Sequence, residues 1–301
     1  MELNLSPQRC GFVAVIGETN AGKSTLINQI VGAKVSIVSR KVQTTRRRIL
    51  GITIKENSQL ILVDTPGIFN AKKTLEKAML QTAWSASRDA DKVVILVDAS
   101  QRSVSGSLEI IRNFSDQQSL IVVLNKIDLV RPQDLLAITQ KFAEFPNIEK
   151  IFMISAVKND GVDDLLDYLY QTLPASPWLY PEDQISDLPQ RLWAAEITRE
   201  QLIRQLEHEL PYETYVETES WEEFQNGSVK ISQAIVVARA GQKAIIIGKG
   251  GSRIKEISQA AREEMALHLD MPVHLFLFVK VTEDWMNKSS SYSALGLEYP
   301  R

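Results

Sequence analysis

The chain of 301 residues carries one cysteine, Cys10, and three histidines, His208, His268 and His274. A lone cysteine excludes an internal disulfide and fits a reducing compartment. At the start of an apolar run it reads as a small buried side chain. The histidines show no metal-ligand spacing with cysteine or carboxylates, so a zinc site is set aside. No run of about 18 apolar residues occurs, and no transmembrane helix is expected. Met1 to Ser6 lacks the pattern of a secretory signal, which makes a cytoplasmic protein the expectation. Internal repeats and low-complexity tracts are missing too. The net charge of −3 and a pI near 5.8 are not those of a nucleic-acid binder in bulk. Local charge distribution decides that question, however. What is there is the composition of a globular protein, 44% hydrophobic and 24% charged, long enough for two domains.

The stretch Gly17-Glu18-Thr19-Asn20-Ala21-Gly22-Lys23-Ser24 fits G-x-x-x-x-G-K-[ST], the phosphate-binding P-loop. The apolar run Gly11–Ile16 before it reads as a buried parallel strand. Thr25–Val31 after it reads as a helix ended by Gly32. In that context backbone N–H groups and the positive end of the helix dipole converge on an anion. Lys23 would reach the β- and γ-phosphates, and the Ser24 hydroxyl would hold Mg²⁺.

Asp64-Thr65-Pro66-Gly67 closes the apolar run Leu60–Val63, again a buried strand. A carboxylate there can hold Mg²⁺ opposite Ser24, and the Gly67 N–H can sense the γ-phosphate. Asn125-Lys126-Ile127-Asp128 follows the strand-like Leu120–Leu124. Guanine offers donors at N1 and N2 to the Asp128 carboxylate. Adenine would leave a buried Asp128 unpaired and is rejected. Asn125 bonds the base edge or ties loops together, and the Lys126 stem can cover the ring. Ser155-Ala156-Val157 follows Ile151–Ile154 and would face the guanine carbonyl. The stretch from Arg40 to Arg48 holds five basic residues and two threonines. A threonine here should close over Mg²⁺ and the γ-phosphate as a first switch does. Thr45 is the choice because Arg46 follows it, with Thr44 as near rival. The basic residues read as a solvated loop, a phosphate contact or an RNA contact.

These motifs together resemble the bacterial TrmE-Era-EngA branch of GTPases. Ile68 stands where signalling GTPases carry the glutamine that orients water, so the resemblance implies the subgroup with an apolar residue there. Asn20 matches a loop asparagine that, in relatives, helps hold K⁺ near the phosphates. Attacking water positioned by backbone groups, with charge stabilised by Mg²⁺, K⁺ and Lys23, is the expected chemistry. The expected nucleotide is GTP, with GDP as product.

Organisation follows the same division. Residues 11 to about 173 alternate as βα, then two strands, then βαβαβα: an α/β domain with a mostly parallel sheet, 1–173. Pro174, Pro177, Pro181 and Pro189 mark a stiff linker over 174–189. Trp178 and Tyr180 within it read as packed on a domain surface. A second, smaller α+β domain is expected over 190–285, followed by a tail over 286–301. Its elements are a helix over 190–209, strands over 212–218 and 229–238, helices near 242–247 and 252–267, and a strand over 272–281. The turn Gly248-Lys249-Gly250-Gly251 between the two helices fits G-x-x-G, with Arg253 and Lys255 just beyond. Alone it is an ordinary helix connection. From Arg239 to Arg262, six basic residues stand against one acid, Glu256. The order αββααβ resembles the type II KH domain, whose loop lets a nucleic-acid backbone approach closely.

A single GTPase domain of this branch joined to a type II KH domain carries further implications. The resemblance implies binding near the 3′ end of small-subunit ribosomal RNA, a role in maturation of the 30S particle, and peripheral membrane association. A monomer is expected. Two other readings stand beside it: an RNA chaperone with a vestigial nucleotide site, and a membrane-associated signalling GTPase whose second domain binds protein.

Overall fold

A computed structural model describes residues 7–39, 41 and 43–300. Met1–Ser6, Arg40 and Val42, which enter the readings above, lie outside the described residues. The chain divides into two compact units, the second beginning its main run at Leu188. The segments Ile37–Thr44 and Lys73–Ala78 group with the second unit.

The first unit is a six-stranded sheet, order β2-β3-β1-β4-β5-β6. Its strands are β1 (Arg9–Ile16), β2 (Ile49–Lys55), β3 (Ser58–Asp64), β4 (Lys92–Asp98), β5 (Leu120–Asn125) and β6 (Ile148–Met153). Only β2 runs antiparallel, against β3. The central strands are near-continuous apolar runs because both faces are covered. Val13 and Val15 point to a cluster with Leu26 and Ile27 of α1 (Lys23–Val31) and Leu165 and Leu169 of α5 (Val162–Thr172). Ala14 and Ile16 point to the opposite cluster, with Ile110 and Ile111 of α3 (Ser105–Arg112) and Leu135 and Phe142 of α4 (Pro132–Ala143). Each such fully buried aliphatic side chain contributes about 1.5–3 kcal/mol of hydrophobic stabilisation. The alternation therefore fixes which face each helix covers. Helix α2 (Thr74–Asp89) stands between β3 and β4, an interval the strand-to-strand reading leaves without a helix. Its residues from Met79 on belong to the first unit, where buried Met79, Ala83 and Ala86 follow helical spacing.

Cys10 is buried at 2% exposure, and its thiol donates to Gln59. The proline-bearing segment after α5 runs beside the sheet. Trp178 and Tyr180 pack against the cluster of Leu50, Ile52, Ile61 and Val63. The Ile52 N–H donates to the Ile185 carbonyl at 2.9 Å, and the Leu50 N–H to the Asp187 carboxylate at 3.0 Å. Strand β2 is an edge strand, so these bonds occupy N–H groups that the sheet leaves open.

The second unit holds a three-stranded sheet, order β7-β8-β9: Tyr215–Glu223, Val229–Val237 and Val273–Val281. Strand β8 pairs antiparallel with β7 and parallel with β9. A parallel partner needs a crossover, supplied by α7 (Ala240–Ile247) and α8 (Ser252–Leu269). Helix α6 (Gln190–Gln205) precedes the sheet, completing the αββααβ order. Ile235, Val237 and Val279 of the sheet meet Leu202 of α6, Ile246 of α7 and Ile257 of α8 in one core. The largest differences from the sequence reading lie at the end of α6 and at the ends of β7, other boundaries shifting by one or two residues. Helix α6 stops at Gln205, and Leu210–Glu213 forms a 3-10 turn with Pro211 in its first positions. Strand β7 therefore starts at Tyr215 and runs on through Glu223, its glutamates carried by pairing with β8. The closing residues are packed: Trp285 is fully buried, Tyr292 nearly so, and α9 spans Ser289–Leu295.

Within this second unit Ile37, Val38 and Thr44 contact α6. Ile37 joins the core of Ala194, Ile197 and Ile203. The Val38 N–H donates to Glu200 at 3.0 Å, and Arg199 donates to the Thr44 carbonyl.

Candidate functional site

The nucleotide motifs converge at the carboxyl ends of β1, β3, β5 and β6, where ligands bind in open α/β sheets. The turn after β1 has little room for side chains. A Cβ on Gly17 would stand 2.2 Å from the Leu96 carbonyl oxygen, and one on Gly22 would stand 2.4 Å from Asn125 Nδ2. Gly22 has φ 100°, a conformation that favours glycine. Lys23 and Ala21 are buried, Thr19 and Thr25 half-buried, and Asn20 exposed with φ 63°. The Lys23 ammonium donates to the carbonyls of Gly17 (3.0 Å) and Glu18 (2.8 Å), which aims it into the turn. Burial pushes its pKa down to about 8, against the pull of Asp64 and Glu18.

Ser24 Oγ lies 2.7 Å from Asp64 Oδ2 and 2.9 Å from Thr45 Oγ1, and Thr45 Oγ1 is 3.3 Å from the same carboxylate oxygen. The Thr44 hydroxyl instead donates to the Lys41 carbonyl. Of the two threonines, Thr45 is therefore the one beside Ser24 and Asp64. Burial pushes the Asp64 carboxyl up, while the Ser24 hydroxyl and Lys23 oppose it. Asp64 Oδ1 is buried without a hydrogen-bond partner. Two hydroxyl oxygens beside one carboxylate that keeps an unpartnered oxygen fit Mg²⁺, which takes one or two carboxylates and completes its octahedron with water and phosphate. Among the described residues no cluster of three His, Cys, Asp or Glu forms another metal site. Thr65 donates to the Val15 carbonyl at 2.7 Å, and the Ile68 N–H donates to the Gly17 carbonyl at 3.0 Å. Pro66 and Gly67 are buried between these ties, and a Cβ on Gly67 would stand 2.7 Å from Thr19 Cγ2.

The base site is built by one side chain on each neighbouring loop. Asn125 is buried. It donates to the Ala21 carbonyl (2.9 Å) and accepts from the Ala156 N–H (3.0 Å), tying the P-loop to the Ser155 turn. Of the two roles open to Asn125, this is the loop tie. Ser155 donates to Asp128 at 2.7 Å. The Asp128 residue is exposed along its backbone, but its side chain is only 18% exposed, held by Ser155 and lying 4.0 Å from Lys158 Nζ, so the carboxylate is already largely covered. Ile127 is half-buried, and Val157 is 77% exposed. Lys126 has φ 65° and donates to the Asn20 carbonyl (2.8 Å) and to Asp98 (2.6 Å).

Asp98 is a residue the motifs miss. Burial pushes its carboxyl up, but hydrogen bonds from Lys126, Ser100 and Gln101 outweigh that and hold it below its ordinary value. A signal exists in the sequence: Leu96-Val97-Asp98 repeats Leu62-Val63-Asp64, an aspartate at the end of a buried strand.

In the second unit, Gly248, Gly250 and Gly251 have φ of 73°, 60° and 81°. A Cβ on Gly248 would meet Arg253 Cβ at 2.8 Å, whereas one on Gly250 or Gly251 would meet nothing within 4 Å. The turn presents open backbone on its outer side. Helix α8 starts directly after it with no side-chain cap, which leaves its first N–H groups available to an anion. Lys249, Arg253 and Lys255 are exposed, though Arg253 also donates to the Ile245 carbonyl at 3.1 Å. Ile245, half exposed, adds an apolar face beside the turn.

Fold and site define a P-loop GTPase joined to a KH domain. Residues 12–126 match the family described as 50S ribosome-binding GTPase, and residues 209–286 match the KH domain. GTPase Era of Sinorhizobium medicae is 53% identical over 297 residues, spanning 98% of this chain and 96% of that protein. GTPase Era of Agrobacterium fabrum is 53% identical over 302 residues, spanning 100% and 95%. The crystal structure of Era with MgGDPNP and nucleotides 1506–1542 of 16S ribosomal RNA superposes with a TM-score of 0.90 at 38% identity. It covers 96% of this chain and 99% of that one. The chain belongs to the Era family of GTPases.

Proposed function

We propose that this GTPase acts in assembly of the small ribosomal subunit, hydrolysing GTP in its first unit and holding small-subunit RNA near the 3′ end in its second. The observation that carries the catalytic half is the meeting of Ser24, Thr45 and Asp64 beside the Lys23 ammonium. Ser24, Thr45 and Asp64 would hold Mg²⁺, which supplies charge neutralisation at the β- and γ-phosphates. Lys23 places a second positive charge in the same turn. The Gly17-to-Ser24 backbone and Thr25 would cradle the phosphates, with Thr65, Pro66, Gly67 and Ile68 closing the γ side. Asn125, Lys126, Ile127, Asp128, Ser155, Ala156 and Val157 would frame the guanine. Ile68 offers no proton acceptor, so the attacking water is oriented by backbone groups. Asn20, exposed at the turn, is the residue proposed to help hold K⁺. GTP turnover in KCl should exceed that in NaCl, and equal rates would remove that role.

The RNA half rests on the open turn at Gly248, Lys249, Gly250 and Gly251, flanked by exposed Arg253 and Lys255. A relative with the same fold holds nucleotides 1506–1542 of 16S ribosomal RNA. The test is RNA crosslinking from lysate with a non-hydrolysable GTP analogue, the intact chain beside Lys249→Asp with Gly250→Asp. Enrichment of the small-subunit RNA 3′ end, lost in the variant, supports the reading. No enrichment over background sinks it.

Nucleotide state is proposed to alter how the RNA site is presented. Support comes from Val38 and Thr44, which bond α6, while the next residue in the chain, Thr45, lies beside Ser24 and Asp64. RNA affinity that is the same with GDP and with the GTP analogue would exclude this coupling. A cytoplasmic monomer with peripheral membrane association completes the proposal. The membrane contact rests on family likeness alone, and co-sedimentation with vesicles tests it.

A further inference from the structure

Glu18 brings a carboxylate into the middle of a phosphate-binding turn. Its neighbour Gly17 and its own carbonyl touch the Lys23 ammonium. A negative charge there opposes a polyphosphate unless it is turned away. The structure shows where it goes. Ser107 Oγ, on the buried side of α3, donates to Glu18 Oε2 at 2.9 Å. Glu18 Oε1 lies so close over Gly106 that a Cβ there would stand 2.1 Å from it. Helix α3 begins at Ser105 with Val104 as its N-cap. Val104 makes no side-chain cap, the Ser103 hydroxyl accepts only from the Ser105 N–H at 3.2 Å, and no acid stands in the first turn. An anion is favoured at such a helix end, and the P-loop supplies one from outside the helix.

We infer that Gly106 and Ser107 are positioning residues for GTP binding: they park the Glu18 carboxylate on the start of α3, away from the nucleotide phosphates. None of the nucleotide motifs includes them. Gly106 is required because any side chain would occupy the place of the carboxylate. The displaced partner would be the end of a flexible glutamate rather than the α3 backbone. An alanine at Gly106 is otherwise favourable for the helix itself. The penalty from a released Glu18 grows with the charge of the ligand, so GTP suffers more than GDP. It also weakens with salt, because the released carboxylate is solvent-screened.

The inference rests on nucleotide lying in the P-loop, and its test separates the two. Fluorescent GDP and a fluorescent non-hydrolysable GTP analogue are titrated into the full chain, Gly106→Ala, and Gly106→Ala with Glu18→Gln. In Gly106→Ala the analogue should bind about tenfold more weakly at low salt and GDP only about twofold. The difference should shrink in about 0.5 M NaCl, where the Debye length falls to roughly 4 Å. Adding Glu18→Gln should restore the affinity. Equal weakening for both nucleotides without restoration, or no weakening at all, overturns the positioning role while leaving the nucleotide site standing. Failure of the unaltered chain to bind either nucleotide would remove the site itself and this inference with it. Should Gly106→Ala not fold, Ser107→Ala gives the same test. A roughly threefold loss confined to the analogue and reversed by Glu18→Gln is expected there.

Discussion

Two glycine-rich turns, each opening a helix, do opposite things with space. In the Gly17-to-Ser24 turn the protein itself fills the room a side chain would need, with the Leu96 carbonyl against Gly17 and Asn125 against Gly22. In the turn at Gly248–Gly251, Gly250 and Gly251 face open space, and only their backbone angles require glycine. A closed turn fixes donors around one small ligand. An open turn leaves room for a polymer to lie along it. Glycine content alone does not separate the two; the atoms behind each glycine do.

The sharpest way to test that contrast is to add a methyl to each turn. Gly22→Ala must push Asn125 off the Ala21 carbonyl as well as hold φ near 100°. Nucleotide affinity should fall by about 10²-fold or more, measured by calorimetry, with the fold retained by circular dichroism. Next in size, Lys23→Ala should lower GTP turnover by about 10²–10³-fold in a phosphate-release assay. Asp128→Ala follows, with the preference for GTP over ATP falling by roughly 10²-fold in competition binding. For the open turn, Lys249→Asp should leave turnover without RNA intact. It should also reduce the slope of log affinity against log salt for RNA by about 1. The smallest effect belongs to Gly250→Ala. It meets no atom, so only the left-handed conformation costs, about 1 kcal/mol in chemical denaturation. A loss at Gly250 as large as that at Gly22 would break the comparison.

Much of this was legible because buried strands and phosphate turns leave dense local signals. Lys23, Ser24, Asp64, Asn125 and Asp128 each belong to a short motif at a strand end, and the fold brings those ends together. The αββααβ order was readable from alternation and glycine placement. Other features depend on partners far away in sequence. Asp98 acts through Lys126, and Ser107 through Glu18, contacts set by packing and not by spacing. Helix α2 was hidden because its exposed face dilutes the apolar stripe. The start of β7 slipped because Pro211 opens a turn where tyrosine and threonine suggest a strand.

The bonds from Leu50 and Ile52 to the segment after α5 change where this molecule can be divided. A fragment ending at Leu173 would strip β2 of the Ile185 and Asp187 acceptors and bare a sheet edge between apolar residues. Such an edge templates aggregation. A fragment ending after Asp187 keeps that edge covered. The stretch rich in proline is thus less a tether than a hem, and the first unit is finished only when it has been sewn down.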